Sequence, residues 1–288
     1  CSSDLNSRMC ILDDGSRLGY DHLSINTGPV QDRARLEASM PGSRENALFV
    51  RPIDAFVELW PQVCGLAAQR QLRIALIGGG AAGVELACAI AVRLPHCSVS
   101  LISAEQTVVS NYVPGVQQRV RKALRACRVD ILHDKVVAIE TGRLHLASGS
   151  YLQCDVPVIA TGAQSAAWLQ GSGLALDSDG FVLVDASQRS TSHDEVFAAG
   201  DVAARTDQAS LKSGVYAVRV GPALSRNIQA ALKGAPASAY TPPQKTLNLL
   251  SCGRRYAIGS WGDLSFEGRW VWYLKNRIDR SFIARYRR

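Results

Sequence analysis

The residues with the clearest chemical potential are the glycines of Gly78-Gly-Gly-Ala-Ala-Gly83. This G-x-G-x-x-G pattern directly follows an apolar run and opens a segment with helical spacing. In that setting Gly78 makes a tight turn, Gly80 admits a diphosphate to the backbone, and Gly83 lets helix and strand pack closely. The diphosphate would bind N–H groups of the first helical turn, at Ala81 and Ala82. The pattern predicts a dinucleotide site; a glycine turn that only solves a packing problem is the alternative.

The position expected to hold the ribose lies about twenty residues further on, at the end of the second strand. Ser103 occupies it. A serine can bond to a ribose, but it supplies neither the carboxylate typical of NAD sites nor the arginine typical of NADP sites. Glu105 follows, and no Arg or Lys occurs between Ser98 and Ser110. The segment favours NADH, with a solvated Glu105 as the alternative, and the choice between NADH and NADPH stays open.

The elements that must position these residues alternate along the chain. A hairpin is predicted at Asp14-Gly15, followed by a strand into Thr27-Gly28 and an exposed crossover over residues 29–50. A βαβ unit then surrounds the glycine pattern, and strand and helix continue to alternate up to Asp155–Ala160, which predicts a parallel sheet. A long helix from about Ser213 and a C-terminal piece of two or three strands and a helix complete the chain.

Composition limits the classes of function. A chain of 288 residues with 47% hydrophobic content can bury the cores of two domains and a tail. The net charge is +7, and nearly all of it lies in residues 269–288, so no nucleic-acid partner is expected. Eight scattered cysteines and five isolated histidines predict no metal site, and the cysteines are typical of a reducing, cytoplasmic compartment. The chain begins with Cys1, which predicts that it starts inside a longer protein.

The end of the chain predicts a basic amphipathic helix. Apolar side chains recur at every fourth position from Trp270 to Tyr286, with arginines and a lysine beside them. Such a helix could lie on an anionic membrane at its inner face. The alternative is that this face of residues 269–288 docks on the protein's own body or on a second subunit in a homodimer.

Four motifs resemble one superfamily when taken together and in order. They are the glycine motif extended through Val-Glu-Leu-Ala87, the segments Tyr20–Gly28 and Asp155–Gly162, and Val196-Phe-Ala-Ala-Gly-Asp201. The chain is similar to the pyridine nucleotide-disulfide oxidoreductases. Within them it most resembles type II NADH dehydrogenases and the flavoprotein domain that precedes selenide, water dikinase, which would connect it to selenium metabolism and to a dikinase partner domain.

The resemblance implies an α/β fold with two Rossmann-like dinucleotide-binding domains. The FAD domain would be discontinuous and N-terminally truncated (residues 1–30 and 151–240), the NAD(P)H domain would span 50–150, and 241–288 would form a small α+β tail. It also implies roles for individual residues. Thr27-Gly28 and Thr161-Gly162 would mark the crossings between the domains, Gly200-Asp201 would contact FAD, and Glu85 would lie near the nicotinamide. An acid that only favours its helix terminus is the alternative for Glu85.

The chain also departs from the family pattern. No first βαβ unit with its own FAD fingerprint precedes Cys1, no redox-active cysteine pair is present, and Arg219-Val220 replace the glutamines that type II dehydrogenases place near quinone. The resulting prediction is an enzyme that takes hydride from NAD(P)H onto FAD and reduces an unidentified small-molecule or quinone-like acceptor without a disulfide relay. The alternatives are a flavin-free nucleotide-binding or partner-docking fragment and a peripheral membrane NADH:quinone reductase.

Overall fold

The computed structural model describes residues 2–5, 7–12, 14–162, 164–208 and 212–286. In chain order, helices α1 to α7 are Arg33–Ser39, Ser43–Asn46, Ile53–Gln69, Ala81–Arg93, Pro114–Ala126, Gly214–Leu232 and Arg269–Tyr286. Strands β1 to β18 are Ser2–Asp4, Met9–Ile11, Arg17–Gly19, Leu23–Ile25, Leu48–Phe49, Arg73–Ile77, Ser98–Ser103, Val129–His133, Val136–Glu140, Arg143–Leu146, Tyr151–Gln153, Val156–Ile159, Val182–Val184, Val196–Ala198, Ala203–Arg205, Leu247–Ser251, Ala257–Trp261 and Leu264–Gly268.

The chain divides into two compact units. Unit 1 consists of Cys1–Asp32 and Ala163–Gln244, and unit 2 consists of Arg33–Gly162 and Lys245–Arg288. The C-terminal stretch, for which the sequence suggested a separate tail, therefore groups with the unit that contains the glycine motif. The assignment of one cofactor to each unit stays a prediction.

A five-stranded parallel sheet, ordered β5-β12-β6-β7-β8, forms the centre of unit 2. Its strands β6 and β12 are almost continuously apolar, as expected for strands that are covered on both faces. The elements β6, α4, β7, α5 and β8 follow one another as βαβ crossovers, and Ile74 of β6 lies opposite Val99 of β7. The predicted α/β fold is confirmed.

The prediction of one continuous parallel sheet is wrong for residues 136–153. Strands β9, β10 and β11 form a separate antiparallel sheet, in which Leu144 lies opposite Ile139 and Leu152. The β9–β10 connection at Thr141-Gly142 is too short for a crossover, which needs a dozen residues or more, so the strands must pair as a hairpin. The exposed crossover predicted over 29–50 is also partly ordered, because α1, α2 and β5 lie there and bury Leu36 and Met40.

The C-terminal strands β16, β17 and β18 form an antiparallel sheet that packs on α4, α5 and α7. Leu250, Cys252 and Ile258 of this segment share one hydrophobic core with Val84 and Cys88 of α4. Within the same unit, Glu267 of β18 forms an ion pair with Arg119 of α5 at 3.0 Å, and Lys122 lies 3.5 Å from the same carboxylate oxygen.

Unit 1 is built from short strands and α6. The predicted hairpin is present, since Met9 pairs with Gly19 across a turn in which Gly15 has φ 79° and Asp14 accepts hydrogen bonds from the backbone and the hydroxyl of Ser16. Strand β4 pairs in parallel with β14, and β13 pairs in parallel with β15. Helix α6 packs Val220 and Leu224 on Phe197 of β14.

Candidate dinucleotide and acceptor sites

The turn between β6 and α4 has the geometry that the glycine motif predicts. Gly78 has φ 128°, a left-handed conformation that glycine adopts at no steric cost. A Cβ on Gly78 would lie 2.6 Å from the carbonyl oxygen of Ala160, and a Cβ on Gly83 would overlap the carbonyl oxygen of Gly78. Both positions therefore require glycine: Gly78 so that the turn can pass the chain that follows β12, and Gly83 so that α4 can approach the turn.

Gly80 is different, because a Cβ at this position would meet no atom within 4 Å. It is the N-cap residue of α4, it has an ordinary φ of −75°, and no described side chain caps the helix. The amides of Ala81, Ala82 and Gly83 have no acceptor inside the helix, as in the first turn of any helix, and they point out of its N-terminus. This open cradle of backbone donors fits a dinucleotide diphosphate.

Ser103 lies beside the turn at the end of β7. Its side chain is almost fully buried, packs against Gly79, and donates a hydrogen bond to the carbonyl oxygen of Glu105 at 3.1 Å. His133 Nδ1 lies 3.0 Å from the same oxygen, and the Glu105 side chain is exposed. The structure thus places both predicted ribose contacts next to the glycine motif, and their role in binding stays a prediction.

Val109 is a part of this site that the sequence did not indicate. Its backbone N–H donates a hydrogen bond to the carbonyl oxygen of Gly79 at 2.8 Å, and its side chain is buried. Its φ of 49° is left-handed, which is a strained conformation for a β-branched residue. Valine normally favours strands, so no local pattern could have predicted this conformation.

Glu85 points from α4 toward the C-terminal sheet. Its carboxylate accepts a hydrogen bond from the backbone N–H of Ser251 at 2.7 Å. Burial raises the pKa of Glu85, although the Ser251 hydrogen bond and Lys275 of α7 act in the opposite direction, while Asp279 adds to the rise. Its predicted place near the nicotinamide stays a prediction, and its observed partner is a residue far away in the sequence.

Both Thr-Gly segments follow strand ends near the limits of the units. Gly28, after β4, has φ 67°, and the chain passes from unit 2 to unit 1 directly after Gly162. Within unit 1, Val30 and Gln164 exchange backbone hydrogen bonds of 2.9 and 3.0 Å. The predicted contacts of Thr27 and Thr161 with a cofactor stay predictions.

Gly200-Asp201 forms a 3₁₀ turn directly after β14. Gly200 has φ 76°, and a Cβ here would lie 3.2 Å from the Cβ of Ala217 on α6. The sequence did not single out Lys212, whose Nζ donates hydrogen bonds to the carbonyl oxygens of Asp201 at 3.0 Å and Ala203 at 3.2 Å. Burial lowers the pKa of Lys212. The lysine therefore fixes the backbone of the Gly-Asp turn.

Among residues 2–286 that the structure describes, no group of three or more His, Cys, Asp and Glu side chains is arranged to hold a metal ion. Helix α7 is described up to Tyr286. Arg287 and Arg288, which belong to the predicted basic helix, lie outside the described residues.

A family model described as pyridine nucleotide-disulphide oxidoreductase matches residues 2–227. Ferroptosis suppressor protein 1 of Homo sapiens is 28% identical over 293 residues, which cover 96% of this chain and 73% of that protein. The ferredoxin–NAD(+) reductase component of the p-cumate 2,3-dioxygenase system of Pseudomonas putida is 31% identical over 163 residues, which cover 56% of this chain and 38% of that protein.

Two solved structures share the fold. The sulfide:quinone oxidoreductase of Aquifex aeolicus aligns with a TM-score of 0.79 and 17% identity, covering 98% of this chain and 72% of that one. NDH2 of Plasmodium falciparum in complex with NADH aligns with a TM-score of 0.81 and 12% identity, covering 98% of this chain and 78% of that one. At these identities the likeness concerns the fold.

Proposed function

Because the chain belongs to the pyridine nucleotide-disulphide oxidoreductase family, we propose that it oxidises NAD(P)H through FAD and reduces a quinone-type acceptor. The resemblance stated from the motifs is confirmed, and the protein is an oxidoreductase whose cofactors are FAD and NAD(P)H. FAD, when bound, supplies the centre that accepts the hydride and passes on its electrons. The identity of the acceptor and the roles of single residues form the proposal.

The observation that carries the proposal is the open cradle at Gly80. Amides of Ala81, Ala82 and Gly83 would hold the diphosphate of NAD(P)H, and Ser103 and Glu105 would contact its ribose.

In unit 1, the Gly200-Asp201 turn would contact FAD, and Lys212 would keep that turn in place. Glu85 would orient the nicotinamide end from α4. The protein groups thus bind and orient, and they perform no covalent chemistry themselves.

Besides the nucleotide and the acceptor, the overall step needs only one proton from solvent. The hydride of NAD(P)H carries two electrons and one proton, and a second proton comes from solvent. A two-electron acceptor such as a quinone therefore leaves as its dihydro form, and NAD(P)⁺ is released. A quinone acceptor is supported by the fold shared with sulfide:quinone oxidoreductase, and the ferredoxin–NAD(+) reductase component makes an iron–sulfur acceptor the alternative.

Flavin content and acceptor turnover test the proposal. Purified protein should carry a flavin absorption band that NADH or NADPH bleaches under anaerobic conditions, and that a quinone restores with stoichiometric loss of the nucleotide. A parallel assay with ferredoxin separates the two acceptor classes. Colourless protein that binds nucleotide and oxidises none of it would contradict the proposal and would favour a flavin-free binding module.

Peripheral membrane attachment is a second proposal, and it depends on α7. Trp270, Ile278, Phe282 and Tyr286 are exposed on this helix, and Arg277, Arg280 and Arg285 add positive charge. Exposed aromatic and apolar side chains among cations favour an anionic membrane surface. Among the described helices, none is long and apolar enough to cross a membrane. A cytoplasmic location, a homodimer through α7 and a selenide, water dikinase partner stay predictions.

A further inference from the structure

A cavity in unit 1 contains two hydrogen-bond donors without partners. It has a volume of about 230 Å³ and lies beside the Gly200-Asp201 turn. Gln188 lines it, is only 3% exposed, and has no hydrogen-bond partner for its amide Nε2 within the described structure. Tyr240 also lines it, and its buried phenolic oxygen has no described partner either. An unpaired buried polar group costs about 1–3 kcal/mol, so these two donors indicate a ligand.

The backbone around both donors is held firmly. The carbonyl oxygen of Gln188 accepts a hydrogen bond from Ala198 of β14 at 3.0 Å, and the N–H of Tyr240 donates one to the carbonyl oxygen of Ala186 at 2.8 Å. Gln188 also has a left-handed φ of 70°, which is uncommon outside glycine. The unpaired side chains therefore belong to well-anchored residues.

The charges of the lining select a neutral ligand. The Arg205 guanidinium forms hydrogen bonds of 2.8 and 2.6 Å with the two Asp207 oxygens and one of 2.6 Å with the carbonyl oxygen of Tyr240, so its charge is balanced within the protein. Asp201 adds a carboxylate to the lining, which disfavours an anion. A ligand that satisfies Gln188 and Tyr240 must instead offer acceptor oxygens without a net charge.

The size and walls of the cavity select a single ring. Its volume is below the about 300–1,000 Å³ typical of sites for drug-sized ligands, which excludes a dinucleotide. Ala217 and Val220 of α6, together with Pro242 and Pro243, provide apolar walls. A flat ring with carbonyl oxygens matches both the walls and the donors.

We propose that this cavity binds the ring of the quinone acceptor, with Gln188 Nε2 and Tyr240 Oη donating hydrogen bonds to its carbonyl oxygens. The assignment rests on the proposed function, since it names the site and the specificity residues for that acceptor. The two proposed donors lie outside the glycine motif: Gln188 lies between β13 and β14, and Tyr240 follows α6.

Duroquinone is a suitable probe, because its four methyl groups block addition of the chain's cysteine thiols to the ring. Its binding to the full chain is measured by calorimetry without nucleotide, and its KM is measured with NAD(P)H. The test variants are Tyr240→Phe and Gln188→Met. The control is Tyr151→Phe, which changes an exposed tyrosine of unit 2. The test variants remove donors that have no protein partner, so they should fold and unfold like the wild type.

Each test variant should weaken duroquinone binding and raise its KM about 3- to 10-fold, as expected for one hydrogen bond, and leave the KM for NAD(P)H unchanged. Equal binding by the wild type and both variants, or no binding at all, would overturn the assignment and would mean that water satisfies the two donors. NAD(P)H-dependent quinone reduction that persists in that case would leave the proposed function standing. A wild-type protein that binds duroquinone but does not reduce it with NAD(P)H would instead contradict the proposed function.

Discussion

Gly80 and Gly83 lie three residues apart but have different structural reasons to be glycine. Gly83 must lack a Cβ because the helix touches the backbone of Gly78. Gly80 has free space and an ordinary φ, so the protein fold itself would accept alanine there. Packing therefore requires glycine at position 83 but not at position 80, where the open space is left for the proposed diphosphate.

The variant Gly80→Ala should bind NAD(P)H at least about 10-fold more weakly, because its methyl group occupies the cradle. Its unfolding free energy should fall by only about 0.5–1 kcal/mol, because alanine is a poorer N-cap residue than glycine. Gly83→Ala should lower the unfolding free energy itself. Gly65→Ala on the exposed side of α3 is the control, with unchanged binding and a gain of about 0.5–1 kcal/mol in stability. Nucleotide titration and urea unfolding measure both quantities, and unaltered affinity in Gly80→Ala would place the diphosphate elsewhere.

Glu85 should make stability depend on pH. Burial raises the pKa of Glu85 in the folded protein above its ordinary value of 4.5, so the folded protein holds this proton more tightly than the unfolded chain does. The stabilisation that this proton provides is fully present below pH 4.5 and is lost as the pH rises through the folded pKa. Glu85→Gln keeps an acceptor for Ser251 but cannot ionise. The free energy of unfolding of the wild type should therefore fall relative to that of Glu85→Gln between pH 4.5 and neutral pH, and parallel curves would contradict the raised pKa.

At the scale of elements, α7 is divided along its length. Val271, near its start, is buried against the C-terminal sheet, whereas all described residues from Arg277 onward are exposed. The predicted apolar face is largely exposed, since Trp270 is 57% and Tyr286 is 73% accessible. The outer half of α7 is therefore free within unit 2 to meet a surface.

Replacement of Arg277, Arg280 and Arg285 by glutamine should lower the affinity for phosphatidylserine vesicles on the order of 100-fold, because each cation contributes about 1 kcal/mol to binding. Vesicle sedimentation measures this affinity. The same exchange at the exposed Arg17, Arg121 and Arg125 removes equal charge elsewhere and should have little effect. Binding of the wild type should weaken with salt and be low on phosphatidylcholine alone. Equal loss in both triple variants would attribute the binding to net charge and not to α7.

Local patterns predicted part of this architecture. The glycine turn, the Asp14-Gly15 hairpin and the terminal helix each depend on residues adjacent in sequence, and all three are present. The contact between Glu85 and Ser251 and the left-handed conformation of Val109 depend on distant partners. The unpaired donors of Gln188 and Tyr240 also emerge only after folding, because no spacing relates them.

At the scale of the whole molecule, the C-terminal sheet is part of the unit that contains the glycine motif. Cys88 of α4 is fully buried, and a Cβ on Gly253 would lie 3.2 Å from its carbonyl oxygen. The helix that carries the glycine motif is thus covered by residues from the other end of the sequence. Removal of that cover should expose α4 and leave the opposite side of the sheet protected.

A chain that ends at Gln244 should therefore become reactive at Cys88. Native alkylation with iodoacetamide, mapped by mass spectrometry, should label Cys88 many times faster in the shortened chain than in the full one. Cys154 is the internal control, because this residue is 1% exposed and lies in a separate core cluster without C-terminal residues. Equal labelling of Cys88 in both chains would show that β16–β18 do not shield α4.

The interleaving of the two units also has a consequence for how the chain acquires its structure. In unit 1, the strand Leu23–Ile25 can form its parallel ladder only after Val196–Ala198 has been synthesised. In unit 2, the hydrophobic core that contains the buried residues of α4 is complete only with Leu250 and Ile258. Pairing across such long sequence separations requires costly loop closure and slows folding. During synthesis on the ribosome, the apolar surfaces that these late residues cover therefore stay accessible to chaperones until Val196–Ala198 and Ile258, respectively, have been added.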